Sequence, residues 1–217
     1  MNRFCAALVE LAHYSPPANV SRNRIGEPVE IPSGLKITGL TKMDLVPVPT
    51  LNLPYRKSGD YGDVVKIKSF EKTYENVGGV NAPKKIKCLG TDGLTRTLLI
   101  KGKDDLRQDA VMQQVFTIMN SLLSQNSESG KRKLVIRTYK VVPLSQRSGI
   151  IEWCENTQPI GLYLIGQDSL SGAHRKFNPG DITASECRMR LRVSTFSENI
   201  FFFFQILFYE LINNFRV

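Results

Sequence analysis

Histidine is nearly missing from this chain: His13 and His174 are the only two in 217 residues. The four cysteines, Cys5, Cys88, Cys154 and Cys187, stand far apart and include no C-x-x-C pair. That scarcity removes the usual ligand spacings of a structural zinc. It also leaves no disulfide framework, and four scattered thiols suit a reduced, intracellular setting. The apolar stretch in NRFCAALVELAHYS is short and interrupted by polar residues, so a helix fragment is expected there rather than a secretion signal. A clean run of about 20 apolar residues, the length of a membrane-spanning helix, is lacking as well. Acidic residues are in deficit, 20 against 29 lysines and arginines, for a net charge of +9. Such a balance suits partners that carry phosphate or carboxylate, or a basic piece of a larger protein. Otherwise the composition, 41% hydrophobic and 23% charged, is that of a globular domain.

What is present is punctuated clearly. Residues 4–13 (FCAALVELAH) have helical spacing and run into Pro16 and Pro17, which stop a helix. From there to about residue 58 the chain is rich in Pro and Gly, as expected of a connector with extended pieces. VVKIKSF (64–70) alternates in part, with Val65 and Ile67 directed inward. KKIKCLG (84–90) and LTRTLLIKG (94–102) flank Asp92-Gly93, the pattern of a β-hairpin. Val111, Val115, Ile118 and Leu122 then recur on one face of a helix expected over 104–126. Residues 133–144 and 148–155 read as two more strands, and NTQPIGLYLIG as a further apolar segment. Strands, one helix, then strands predict an α+β layer in which the helix packs on an antiparallel sheet.

Lys101 closes an apolar strand in LLIKGKDDLRQD, and Asp104, Asp105 and Asp109 follow within eight residues. A strand-end lysine facing a helix acid can be held extended by that carboxylate and can neutralise phosphate charge. Gly78-Gly79, before the preceding strand, suit a turn at which backbone approaches a ligand without Cβ interference. Asp104 and Asp105 suit the capping and dipole of the helix N-terminus. Singly, these are also the features of an ordinary surface lysine and an ordinary turn.

Together they form a recognisable pattern. KGKDDLRQDAVMQQVF, with GGVNAPKKI before it and KRKLVIRTYKVVPLSQRSGIIEWCENTQPIG after it, closely resembles the phosphatidylinositol 3-kinase-related protein kinases. Within them it is most similar to the ataxia-telangiectasia mutated (ATM) type, over roughly residues 43–187. The resemblance implies a protein-kinase-like N-lobe and hinge over 43–166. Before it, 1–42 would be a remnant of the preceding helical region, and after it 167–190 would begin the C-lobe. It implies ATP as ligand, with Asn76, Val77, Gly78, Gly79, Val80, Asn81 and Ala82 as the glycine loop over the phosphates. Lys101 would contact phosphate, and Asp109 would be the acid that partners and orients it. Glu152, Trp153 and Cys154 would form the hinge, where backbone groups read the adenine edge and Trp153 walls the pocket. Tyr139 would occupy an inner-pocket position, although Trp153 and Tyr139 also fit simple core packing. For the parent protein the resemblance implies Mg²⁺, protein Ser/Thr substrates, DNA-damage factors as partners, and a nuclear location.

Kinase chemistry also needs an Asp and an Asn to hold Mg²⁺ and a second Asp near the nucleophilic hydroxyl. The family's D-R-H-x-x-N and D-[FL]-G segments do not occur in this sequence; after Cys154 the only aspartates are Asp168 and Asp181. The chain taken alone is therefore expected to be catalytically inactive. The other readings are a non-catalytic interaction module and the N-lobe of a phosphatidylinositol-kinase relative. Residues 194–217 hold seven of the eleven phenylalanines, and 191–217 are expected to be a non-homologous tail, as from a translated intron. An unpaired aromatic run of this kind promotes aggregation. The basic cluster Lys131, Arg132, Lys133, Arg137 and Lys140 reads as the solvated end of a strand, with no strong case for nucleic-acid or membrane binding.

Overall fold

A computed structural model describes residues 2–16, 25–40, 45–78, 81–168 and 171–194. The chain divides into two packed units, residues 1–154 and 155–217.

The first unit is a six-stranded sheet in the order β1-β2-β3-β4-β6-β5, with every neighbouring pair antiparallel. Its strands are β1 (Pro28–Glu30), β2 (Ile67–Asn76), β3 (Lys84–Gly90), β4 (Thr95–Gly102), β5 (Val141–Ser145) and β6 (Ser148–Glu152). Helix α1 (Asn2–His13) lies on one face. Phe4, Ala7, Leu8, Leu11 and Ala12 recur at helical spacing and are buried. They meet the inward residues of the strands, Ile86, Cys88, Leu98, Ile100 and Ile150, in one core. The connector contributes to that core too: Ile31, Ile37 and Val48 are buried in it. The α1 segment and the sheet thus share their apolar interior.

The β3–β4 hairpin forms as its turn residues require. Gly93 has φ +79°, and the Gly90 N–H donates to the Leu94 carbonyl at 2.9 Å. Arg96 holds Asp92 at 2.6 Å and keeps that carboxyl depressed to about 2. β2 runs further than 64–70 indicates, from Ile67 through EKTYEN to Asn76. Its second half carries charged residues outward while Tyr74 and Asn76 are buried. Conversely, only Val141–Ser145 of 133–144 is a strand. The preceding residues are held by side chains of α2 instead of by a ladder.

That helix, α2 (Leu106–Gln125), begins at an Asp105 cap whose side chain accepts from Arg107 N. The periodicity located the helix correctly but not its packing. Val111, Val115, Ile118 and Leu122 are exposed, as are Met112 and Met119, and Leu106 alone is buried. Polar bonds set this orientation. Asn120 clamps the backbone of Ile136, giving Nδ2–H to its carbonyl and taking its N–H, both at 2.7 Å. Gln113 Oε1 accepts from Tyr139 N at 3.0 Å. The apolar stripe is left on the outside. A short α3 (Ser127–Lys131) follows.

The described part of the second unit is helical: α4 (Ile160–Ile165), α5 (Ala173–Phe177) and α6 (Ala184–Ser194). The phenylalanine-rich expectation for 191–217 falls almost wholly outside the described residues. Among those described, no helix is long and apolar enough to cross a membrane.

Candidate nucleotide-phosphate site

Strand alternation builds the site. Along β4, Leu98, Ile100 and Gly102 are buried on the α1 side, so Leu99 and Lys101 stand on the opposite face. On β3, Lys85, Lys87 and Leu89 share that face, because Ile86 and Cys88 point to the core. On β6, Ile151 shares it, with Trp153 just beyond the strand. α1 does not reach this second face, where Leu106 at the start of α2 packs over Gly149 instead.

Lys101 is at the end of β4, opposite Gly149 of β6. Its Nζ lies 2.5 Å from Asp104 Oδ2, with the two side chains 27% and 36% exposed. The acid that partners Lys101 is therefore Asp104, a correction to the expected pairing with Asp109. The cause is local. Lys103 adopts φ +60° and turns the chain back so that Asp104 faces the strand it has just left. Asp109 lies in the first turn of α2 and makes no ion pair with Lys101. Asp105 is the cap, as expected, and its bonds to Arg107 hold its carboxyl depressed to about 2. Asp104 thus pairs with Lys101, while the cap of α2 is Asp105. The i,i+3 spacing from Lys101 was the signal available in the sequence.

The glycine segment lies at the same end of the sheet. Lys84 at the start of β3 pairs with Ile100 at the end of β4, so the 77–83 loop leaves the sheet beside Lys101. Val77 N donates to Pro83 O at 3.3 Å and closes its base. Gly78 has φ +86° and Ala82 φ +43°, the left-handed backbone that a tight loop uses. Asn76 is buried at the end of β2, and Asn81 is half-buried. Gly79 and Val80 lie outside the described residues.

The hinge candidates lie at the other end of β6. Glu152 pairs with Leu98, and Trp153 N donates to Thr97 O at 3.2 Å. Four residues separate Gly149, opposite Lys101, from Trp153, a span of about 13 Å along a strand. The amides of Glu152 and Trp153 are already committed to Lys140 O and Thr97 O. These two N–H groups are therefore bonded within the sheet. Cys154 is half-buried.

Tyr139 and the Glu152 side chain are not gathered with Lys101. They line a 610 Å³ groove with Gln113 and Thr117 of α2, Val141, and Thr50 to Asn52. Glu152 there accepts from Lys140 N at 2.9 Å. Lys85 went unnoticed in the sequence. It bonds Glu75 at 3.1 Å and places its ammonium 5.0 Å from the centre of the Trp153 ring. The alternation in KKIKC was the signal that could have found it.

The residues present suit an anionic phosphate at Lys101 and the glycine loop. Among the described residues no group of three His, Cys, Asp or Glu could hold a metal ion. Asp168 caps Ser171 through its N–H and hydroxyl. Asp181 pairs with His174 at 2.9 Å and accepts from Ile182 N.

A mixed layer with an antiparallel sheet, a lysine at a strand end and a glycine loop beside it defines the upper half of a kinase-type fold. Residues 96–204 match the phosphatidylinositol 3- and 4-kinase family, to which the chain belongs. That match extends past the expected break at 190/191.

Within the family, the chain is similar to the ATM and Tel1 serine/threonine kinases. It is 50% identical over 163 residues to serine-protein kinase ATM of Sus scrofa, covering 75% of this chain and 5% of that protein. It is 50% identical over 153 residues to serine/threonine-protein kinase ATM of Drosophila melanogaster, covering 70% and 6%. Among solved structures, the FAT and kinase domain of CtTel1 superposes with a TM-score of 0.71 at 36% identity. That likeness covers 91% of this chain and 14% of the other. The chain spans about one twentieth of the length of these curated relatives.

Proposed function

We propose that this chain supplies the ATP-binding N-lobe and hinge of an ATM-type serine/threonine protein kinase. The observation that carries the reading is Lys101, paired with Asp104 on the face of the sheet away from α1, beside the Gly78 loop. An ammonium so placed neutralises phosphate oxygens, and the loop admits backbone N–H groups close to them. The roughly 13 Å along β6 from Gly149, opposite Lys101, to Trp153 separates a phosphate end from a base end. In the parent kinase, bound Mg-ATP would supply the γ-phosphoryl group for protein Ser/Thr, and the ligands for its metal would come from sequence this chain does not contain. By the same reading the parent acts in the nucleus, in the DNA-damage response, with protein substrates and DNA-damage factors as partners. The chain by itself binds nucleotide without transferring phosphate.

The test is equilibrium binding of ATP to the full chain. Saturable binding that Lys101→Met reduces at least tenfold supports the reading, and so does no phosphoryl transfer to protein substrates after removal of co-purified kinases. No binding, or binding indifferent to Lys101, overturns it.

A further inference from the structure

The face away from α1 carries a second lysine that the phosphate clamp does not use. Lys85 and Leu99 are partners between β3 and β4, and Leu99 and Ile151 between β4 and β6. Glu75 precedes Lys85 in this cross-strand row, apolar residues follow it, and Lys85 lies diagonally across β4 from Trp153. A lysine there needs partners, and it has two on opposite sides. Glu75 Oε2 is 3.1 Å from its ammonium, with the side chains only 23% and 28% exposed. The Trp153 indole lies 5.0 Å away, within the range at which a cation is attracted to a ring face. The neighbouring Lys87 is neutralised separately by Glu71 at 3.6 Å.

We propose that Lys85 is a positioning residue for nucleotide: anchored by Glu75, it clamps the Trp153 indole as a fixed wall of a site for a purine nucleoside triphosphate. The inference rests on the nucleotide reading above. It assigns the base end of the site its own ion-paired brace, separate from the Lys101–Asp104 pair at the phosphate end. Trp153 follows β6, its N–H still bonded across to Thr97 O but its ring only half-buried, and a large ring at such a point has rotamer freedom to lose when a base stacks on it. A cation already resting on the indole removes part of that freedom before the nucleotide arrives, so affinity rises through preorganisation. Arginine can replace lysine in this role, because a guanidinium also stacks on an indole and bonds a carboxylate.

Trp153 is the only tryptophan in the chain, so its emission reports this contact directly. The experiment compares the full chain with Lys85→Met, Lys85→Arg and Glu75→Gln. Affinity for ATP is measured by equilibrium dialysis with labelled nucleotide, the nucleotide-free emission spectrum is recorded, and thermal melting verifies folding. Expected are a changed emission spectrum and about 3- to 10-fold weaker ATP binding in Lys85→Met, both restored by Lys85→Arg. Glu75→Gln, which keeps the cation but loosens its anchor, shifts both readouts the same way by less, and it decides the matter if Lys85→Met fails to fold. ATP binding by the parent chain that Lys85→Met leaves unchanged overturns the proposal, as does an unaltered emission spectrum. Absence of ATP binding in the parent chain overturns the nucleotide reading itself, and the emission comparison then still tells whether the clamp exists.

Discussion

The two faces of the sheet are built from the same strands and do opposite things. On the face under α1, Ile86, Leu98, Ile100 and Ile150 are fully or almost fully excluded from water, and they meet Leu8 and Leu11 in one core. On the other, Lys85, Lys101 and Trp153 stand half-buried, and the charges are matched in pairs by Glu75 and Asp104. Burial of apolar area supplies most of the stability of such a layer, while partly exposed ion pairs add little. One face therefore holds most of the fold and the other carries the paired charges. Lys84 marks the border. It belongs to the core face, 3% exposed, donates from Nζ to the Ala12 carbonyl at the end of α1, and lies 6.0 Å from the Tyr74 ring. Burial, with a smaller push from Lys103, lowers its pKa to about 8.

The contrast breaks most severely on the core side. Leu8→Ala removes a fully buried side chain and should cost about 2–5 kcal/mol, read as a lower urea midpoint without a change in slope. On the other face, Lys101→Met should lower ATP affinity about 10- to 100-fold, the worth of a charge-assisted bond, while the urea midpoint stays near that of the parent. Equal stability losses for the two variants would erase the distinction between the faces.

Lys84 sharpens it through pH. Its folded pKa lies below its unfolded value, so the unfolded chain binds more protons between the two. Stability should therefore rise from about pH 8 toward 10.5, be fully present above the unfolded pKa, and be lost again as pH falls through 8. The amplitude is about 3 kcal/mol, and Lys84→Met should flatten the profile in urea titrations across that window. The smallest stability effect belongs to α2. Ile118→Gln with Leu122→Gln should change the midpoint by less than about 0.5 kcal/mol, because both residues are exposed. The double variant should nonetheless reduce self-association in light scattering, since a contiguous apolar stripe in water drives association.

The hairpin, α1 and α2 were legible because each carries local punctuation: Asp92-Gly93 at the turn, Pro16 after α1, and Asp105 ahead of Leu106. The second half of β2 was not. EKTYEN has no apolar alternation, and it is a strand because β1 and β3 flank it on both sides. Residues 134–140 look like a strand for the opposite reason, rich in Val, Ile, Thr and Tyr, yet side chains of α2 hold their backbone. In the site, Lys101 could be found from its place at the end of an apolar run. Its acid could not be chosen among three nearby carboxylates until the Lys103 turn brought Asp104 back. Lys85 and Glu75, ten residues apart, become neighbours only because Lys85 and Glu75 pair across β2 and β3.

The sequence alone determined where the chain turns and caps, which lysine ends β4, and which family the motif belongs to, because those depend on residues adjacent in the chain. Tertiary structure alone decided which face α1 covers and which carboxylate reaches Lys101. It also decided that an apolar helix stripe faces water while a lysine rests on the single tryptophan. These follow from the register and stacking of strands, and a periodic pattern along one segment carries no information about the segment that will lie against it.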